Sequence, residues 1–385
     1  MVVEHPQAVL MLVAGAKGAI GSTLALAVEM MADSPESVLP YLTSTDLLPF
    51  AGHPGDSLAI AGWDLSSRSM TETLRAQGVV PEERWRPWSR ALDKIAVSPA
   101  PDPGLPVADQ LETLVRDIAR FASAHPRTQP VLVNLLPACP DCGIDPSLTF
   151  GDLEAMQGGK LFQDIVYAMA AIRCDIPVVN FTPNDVALPA VVAQAEKQGV
   201  PMAGRDGKTG QTYFKVVLAS ALKSRHLYVD GWYSLNILGN ADGQNLMNPD
   251  CAAGKLANKT DLLDDILGYA VGEGYGRGSH RVRIDYYPPR GDAKEAWDVI
   301  DVKGLFGLPM SIRINLQGRD SILAAPMAID LARWVAAAKA AGKRGLLPEL
   351  GFFFKKPEGK RAPVSFQDQW IRLQAFGGEL SGSIR

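Results

Sequence analysis

The feature that most restricts this chain is its opening unit. Ala8-Val9-Leu10-Met11-Leu12-Val13-Ala14 is a continuous apolar run that leads directly into Gly15-Ala16-Lys17-Gly18-Ala19-Ile20-Gly21. An apolar run without alternation suits a strand buried on both faces of a parallel sheet. The Ala-, Leu- and Met-rich stretch from Ser22 to Met31 then reads as a helix. Strand, glycine turn and helix form the opening of a dinucleotide-binding unit, where backbone amides approach a pyrophosphate at a helix N-terminus. For the glycines taken alone, a packing turn is the competing reading. A ribose-binding carboxylate belongs at the end of the second strand. The candidate is Asp64, and its position requires an insertion over residues 31–56. A helix-capping role fits the spacing of Asp64 equally well.

Alternation continues downstream. Candidate strands at Ser57 to Ala61, Val131 to Leu135 and Pro177 to Asn180 are separated by helical patterns at Ser69 to Gln77, Val107 to Ala124 and Lys160 to Ile172. That order predicts a doubly wound α/β sheet. The Pro-rich stretch Ala96 to Pro106 reads as a surface loop. Beyond residue 210 the texture changes. A helix from Thr212 to Lys223 precedes strand-like segments at His226 to Ile237, Arg281 to Tyr287 and Pro309 to Asn315, the latter two alternating apolar with polar residues. They predict an α+β unit whose sheet has one wetter face. Ser321 to Ala341 reads as a long Ala-rich helix that packs back on the first unit.

With 385 residues, 47% of them apolar and 21% charged, the chain can bury a sizeable core. A net charge of −4 disfavours nucleic acid or an anionic membrane as the main partner. Four cysteines in this length make no disulfide framework, and Cys139-Pro140-Asp141-Cys142 is a single C-x-x-C without further zinc ligands, so no metal is expected. The N-terminal residues carry no basic region ahead of an apolar stretch, and no apolar run reaches the ~18 residues that a span needs. A cytoplasmic enzyme is the expectation.

Several segments carry candidate chemistry. Gly204-Arg205-Asp206-Gly207-Lys208-Thr209-Gly210-Gln211-Thr212 fails as a P-loop, because Pro201 stands where its first glycine belongs and no strand is read ahead of it. A turn that opens a helix remains, whose amides and Thr hydroxyls suit one phosphate group, and an ordinary capped helix start fits it equally well. Asn240-Ala241-Asp242-Gly243 has turn chemistry at a strand end. Lys255 and Lys259 stand i,i+4 and share a face if that segment is helical, where like charges call for an anion, although solvated surface lysines are the default reading. Lys294 follows Gly291-Asp292-Ala293, and Lys355 follows Phe352-Phe353-Phe354 at the end of an expected buried strand.

Taken in order, these segments resemble the myo-inositol-1-phosphate synthase family. The resemblance is carried by Asn180-Phe181-Thr182-Pro183-Asn184, the Asp206 to Thr212 turn, and Ser234 to Gly243. It continues through Lys255 and Lys259, Gly291-Asp292-Ala293-Lys294, Arg319 to Pro326 and Lys355-Lys356-Pro357. The resemblance implies an α/β fold: a Rossmann NAD-binding domain over residues 1–210 and 325–385, completed by the C-terminal segment, with an inserted α+β catalytic and tetramerisation domain over 211–324. It implies NAD as cofactor, a sugar phosphate as substrate and a homotetramer. The implied reaction is the conversion of glucose 6-phosphate to inositol 1(3)-phosphate by C5 oxidation, enolisation, aldol closure and re-reduction.

The resemblance also implies residue roles. Lys255, Lys259, Lys294, Lys355 and Asp206 are the catalytic candidates. Lys255 and Lys355 handle the C5 oxygen and its proton, Lys294 assists at the enolate or aldehyde end, and Lys259 shares the phosphate with Thr209, Gly210, Gln211 and Thr212. Asp206 and Asp320 orient lysines or the nicotinamide end. Gly15, Gly18, Ala19, Ile20, Gly21, Asp64, Asn240, Asp242, Asp292, Asp320 and Ser321 are the cofactor set. Clustered lysines in a dry pocket stabilise an enolate and a phosphate together. Ala19-Ile20 stands where the family often carries paired asparagines, and Phe181 and Asp185 replace smaller or neutral residues. A cyclase acting on another sugar phosphate, such as fructose 6-phosphate closing to a five-membered cyclitol, and a polyol-phosphate dehydrogenase are the alternatives. A cofactor-binding protein with decayed catalysis is the non-enzymatic one.

Overall fold

The structure, a computed structural model, describes residues 8–48, 57–139, 143–248, 262–276 and 278–383. Its first sheet is built from β1 (Ala8–Ala14), β2 (Leu58–Asp64), β3 (Val97–Pro99), β4 (Thr128–Asn134), β5 (Val178–Asn180), β6 (Pro201–Ala203) and, late in the chain, β11 (Gly345–Leu346). All pairings are parallel, in the order β11-β6-β5-β4-β1-β2-β3. The expected doubly wound sheet is therefore present. Its order reverses between β1 and β4, and crevices for ligands open at the carboxyl ends of strands at such a point. β2 runs to Asp64, so the candidate carboxylate does end the second strand. A short strand, β3, lies inside the stretch expected to be only a loop.

The unbroken apolar run of β1 is explained by its two covered faces. Met11 and Val13 join one core with Leu24, Ala25 and Val28 of α1 (Ala19–Asp33). Leu10 and Leu12 join another with Leu111, Leu114 and Ile118 of α2 (Val107–Ala124) and Ile165 and Met169 of α3 (Gln163–Arg173). The periodic spacing of Val107, Leu111, Leu114, Ile118 and Phe121 gives α2 a single buried stripe.

The second sheet contains β7 (Tyr228–Leu238), β8 (His280–Tyr286), β9 (Ala293–Lys303) and β10 (Pro309–Arg319), in the order β10-β9-β7-β8. β9 pairs antiparallel with both neighbours, whereas β7 and β8 are parallel. Alternation is clear in β9: Ala296, Asp298, Ile300 and Val302 are buried, while Trp297 and Asp301 are exposed. The helix α4 (Gln211–Ser224) contributes Val216, Ala219 and Leu222 to the core beneath this sheet.

The predicted long helix is α5 (Asp320–Ala340), and it packs back on the first sheet as expected, through Ala328, Ile329, Ala332 and Val335. By length and composition it passes as a membrane span, but 78% of its most apolar window is buried inside the protein. Asp330 of α5 accepts from the Thr43 and Ser44 amides at 2.8 and 2.9 Å, and Arg333 donates to Ser44 Oγ and the Leu48 carbonyl. These contacts tie the segment after α1 to the core. The last helix is α6 (Phe366–Ser383).

Candidate active site

The turn after β1 is shaped by its backbone. Gly15 sits at φ +86°, a conformation that L side chains rarely adopt. Its N–H and that of Ala16 both donate to the Trp63 carbonyl, at 3.0 and 3.1 Å. A Cβ on Gly21 would stand 2.5 Å from the Gly15 carbonyl oxygen, so only glycine lets α1 start this close to the turn. The helix cap, Gly18, has no side chain to hold the first amides. Those orphan donors suit an anion. Asp64 accepts from the Lys17 amide at 2.7 Å and the Ser66 amide at 2.8 Å. Its carboxylate braces the turn from the β2 side.

A cleft of about 370 Å³ opens at the strand ends. Gly15, Gly18, Ala19, Ile20, Gly21 and the segment Leu135 to Ala138 form one wall. Thr182, Asp206, Thr209, Asn240, Asp320, Ser321 and Lys355 form the other. A glycine cradle that side chains would fill, facing uncapped helix amides, fits the pyrophosphate of a dinucleotide.

Two lysine–carboxylate pairs meet in this region. Lys355 Nζ donates to Asp206 Oδ1 at 2.6 Å, and Lys294 Nζ donates to Asp320 Oδ2 at 2.9 Å. The two lysine side chains are only 15% and 16% exposed, so both pairs work with little water around them. Thr209 Oγ1 also reaches Asp320, at 3.2 Å. Backbone contacts lock the Asp206 loop in place: its N–H meets the Thr182 carbonyl at 2.8 Å, and its carbonyl accepts from the Lys355 N–H at 2.7 Å. The expected strand ahead of Lys355 is instead a 3-10 helix, Pro348–Phe353, with only Phe354 bridging to Gly207. A Cβ on Gly351 within it would meet Pro357 at 3.1 Å, so the coil and the following prolines pack closely.

The remaining candidates divide. Asn240 donates to Asp292 at 3.1 Å, and Ser321 does so at 3.3 Å. Loss of hydration raises the pKa of Asp292 above the usual carboxylate range, and its Oδ2 has no hydrogen-bond partner. Asp242 lies in the short helix Ala241–Asn245, at the strand end where turn chemistry was expected. Of the phosphate-turn candidates, Thr209 lines the cleft, Gly210 caps α4, and Gln211 and Thr212 are buried. The Gln211 carboxamide points to Asp298 and Asn236. Contrary to expectation, a strand (β6) does precede this turn. Lys255, Lys259, Pro140, Asp141 and Cys142 lie outside the described residues. Cys139 donates its amide to Asn184 Oδ1 at 3.0 Å.

Sequence reading assigned no role to three buried polar groups. Asp164 accepts from Asn134 Nδ2 at 2.7 Å, Asn184 Nδ2 at 3.0 Å and Thr182 Oγ1 at 3.1 Å, while Asn180 accepts from Asn134 and donates to the Asn184 carbonyl. Lys208 is fully buried, donates to Gln369 Oε1 at 2.5 Å, and has its pKa pushed down to about 7 by burial. Lys215 is also buried, 2.8 Å from His280 Nε2. Burial pushes its pKa down to about 8 while Asp298 opposes the shift. The available signal was a polar residue at an otherwise apolar position, such as Asp298 among Ala296, Ile300 and Val302.

A family model described as myo-inositol-1-phosphate synthase matches residues 210–321, the span that holds Lys294 and Asp320. An inositol-3-phosphate synthase 1 of Bacteroides thetaiotaomicron is 47% identical over 193 residues, which are 50% of this chain and 45% of that protein. The chain is similar to the myo-inositol-1-phosphate synthase family. A mouse member, inositol-3-phosphate synthase 1, is 30% identical over 317 residues, covering 76% of this chain and 56% of the mouse protein. The chain thus spans about half the length of the curated family members it matches. The fold extends further than the sequence likeness. The Caenorhabditis elegans inositol-3-phosphate synthase structure superposes with a TM-score of 0.86 at 20% identity, covering 97% of this chain and 86% of that one. A synthase-related protein from Thermotoga maritima gives 0.75 at 21% identity, with 96% and 98% covered.

Proposed function

We propose that this chain is a member of the myo-inositol-1-phosphate synthase family, an NAD-dependent sugar-phosphate cyclase that converts glucose 6-phosphate to inositol 1(3)-phosphate with no net redox change. The observation that carries the reading is that Asp206, Lys355 and Asp320 line one cleft with the glycine turn, Lys355 pairing with Asp206 and Lys294 with Asp320. NAD, when bound, supplies reversible hydride acceptance at the sugar's C5. Gly15, Gly18, Ala19, Ile20 and Gly21 hold its pyrophosphate side, with Asp64 bracing the turn, and Asn240, Asp242, Asp292, Asp320 and Ser321 serve its other end.

In this reading the chain's own residues manage protons and charge. Lys355, oriented by Asp206, exchanges the proton of the C5 hydroxyl together with Lys255. Once C5 is a ketone, its neighbour C6 is acidic, and the resulting enolate is an anion that ammonium groups in a poorly hydrated cleft stabilise. Lys294, held by Asp320, meets the developing charge as C6 bonds to the C1 aldehyde. Lys259, Thr209 and the α4 amides at Gly210, Gln211 and Thr212 hold the phosphate. We extend the reading to a cytoplasmic homotetramer. Its support is the outward face of the second sheet, where Tyr233 and Trp297 are 44% and 46% exposed.

The test is absorbance at the NADH wavelength during turnover of glucose 6-phosphate with excess NAD. A cyclase consumes substrate with no lasting rise in NADH. Steady accumulation of one NADH per sugar would establish the dehydrogenase alternative instead.

A further inference from the structure

We propose that Asp298 is a positioning residue for the anion-holding turn that opens α4. The inference rests on the cyclase reading and identifies what fixes its phosphate affinity. Asp298 lies on the inner face of β9, 6% exposed and directly opposite Ser234 of β7. A carboxylate this buried is costly unless donors surround it. Trp232 Nε1 donates to it at 2.7 Å, Ser234 Oγ at 2.5 Å and Gln211 Nε2 at 2.8 Å. The other end of the Gln211 carboxamide accepts from Asn236 Nδ2 at 2.7 Å. Gln211 is therefore clamped at both ends from within the sheet.

Gln211 is also the first residue of α4, immediately after the Gly210 cap and next but one to Thr209, whose hydroxyl reaches Asp320 at the cleft. No side chain caps the first turn of α4. Its orphan amides point wherever Gln211 is held, and their usefulness to a phosphate depends on that direction. Lys215, one turn further along, is a buried amine whose charged form Asp298 favours. The same carboxylate thus serves two positions on one face of the helix.

The test compares Asp298→Ala, Asp298→Asn and Asn236→Ala in the full chain. Steady-state kinetics with glucose 6-phosphate are measured alongside calorimetric affinity for inorganic phosphate. Asp298→Ala should raise KM and the phosphate Kd about tenfold or more, with kcat lowered less than about threefold and NAD affinity unchanged. Asp298→Asn should stay within about threefold of wild type on both. Its oxygen still accepts from Trp232 and Ser234, and its NH2 meets Gln211 once the Gln211 and Asn236 carboxamides turn over. That turnover uses Asn236 Oδ1, which has no partner at present. Asn236→Ala frees the other end of Gln211 and should also raise KM and the phosphate Kd, which keeps the inference testable if Asp298→Ala does not fold. A lowered melting temperature with unchanged KM and phosphate Kd in these alanine variants would overturn it, as would a wild type that binds no phosphate. A wild type that leaves glucose 6-phosphate untouched sinks the cyclase reading, while the phosphate affinities still decide this one.

Discussion

At the residue scale, the two lysine–carboxylate pairs differ from ordinary surface ion pairs because each is mostly shielded from water. Lys355→Ala should lower kcat by about a thousandfold or more, with melting temperature and NAD affinity close to wild type, measured by turnover, calorimetry and thermal scanning. Wild-type-like turnover would remove Lys355 from the reaction. Gly21→Ala is the sharper probe of the glycine turn. Its new methyl meets two backbone carbonyls, Gly15 at 2.5 Å and Ala16 at 2.6 Å, whereas a Cβ on Gly18 would find only the Gly15 oxygen at 3.4 Å. Loss of NAD binding is the expected outcome, and a variant that still copurifies with NAD would show that the turn has another purpose.

At the element scale, what the sequence could reveal depended on how local the cause was. β1, its glycine turn and α1 were legible because burial on both faces leaves an unbroken apolar run and the turn demands glycine. β9 was not read as a strand, because Lys294, Glu295, Asp298, Asp301 and Lys303 break up its apolar signal. The 3-10 helix before Lys355 was misread for the opposite reason: three consecutive phenylalanines suggest a strand, but the backbone closes i→i−3 bonds there, Leu350 to Leu347 and Phe354 to Gly351. No periodicity announces Lys208 either, since its burial depends on Gln369 in a distant helix.

That burial has a measurable consequence. The unfolded Lys208 keeps its proton up to about pH 10.5, while the folded one releases it near 7. Between those values the unfolded state binds more protons, so this group makes stability rise with pH, by up to ~1.4 kcal/mol per unit. Lys208→Met should flatten the pH dependence of unfolding free energy over that window, as read by denaturant titration. An unchanged slope would mean that the ammonium stays protonated when folded. Asp330→Ala, at the junction of α5 with the segment after α1, should cost about 2–4 kcal/mol. It leaves the Thr43 and Ser44 amides without their acceptor in a buried place. A loss below about 1 kcal/mol in the same titration would show that the junction relaxes freely.

At the scale of the whole molecule, the first sheet supplies the cradle and the second sheet supplies Lys294, while α5 carries Asp320 at its start and packs its length beneath the first sheet. The cleft exists only where these parts meet, which is why no single segment of sequence contained it. The order of the short motifs conveyed the family, yet the pairing of each lysine with its particular aspartate required the fold. The claim on which the account depends is ring closure without net oxidation. Its most direct test is NMR of the products formed from carbon-13-labelled glucose 6-phosphate and, separately, fructose 6-phosphate, with purified protein and NAD. The account predicts a six-carbon ring of unchanged mass from glucose 6-phosphate alone. An oxidised open-chain product from that substrate, or a five-membered ring formed only from fructose 6-phosphate, would contradict it.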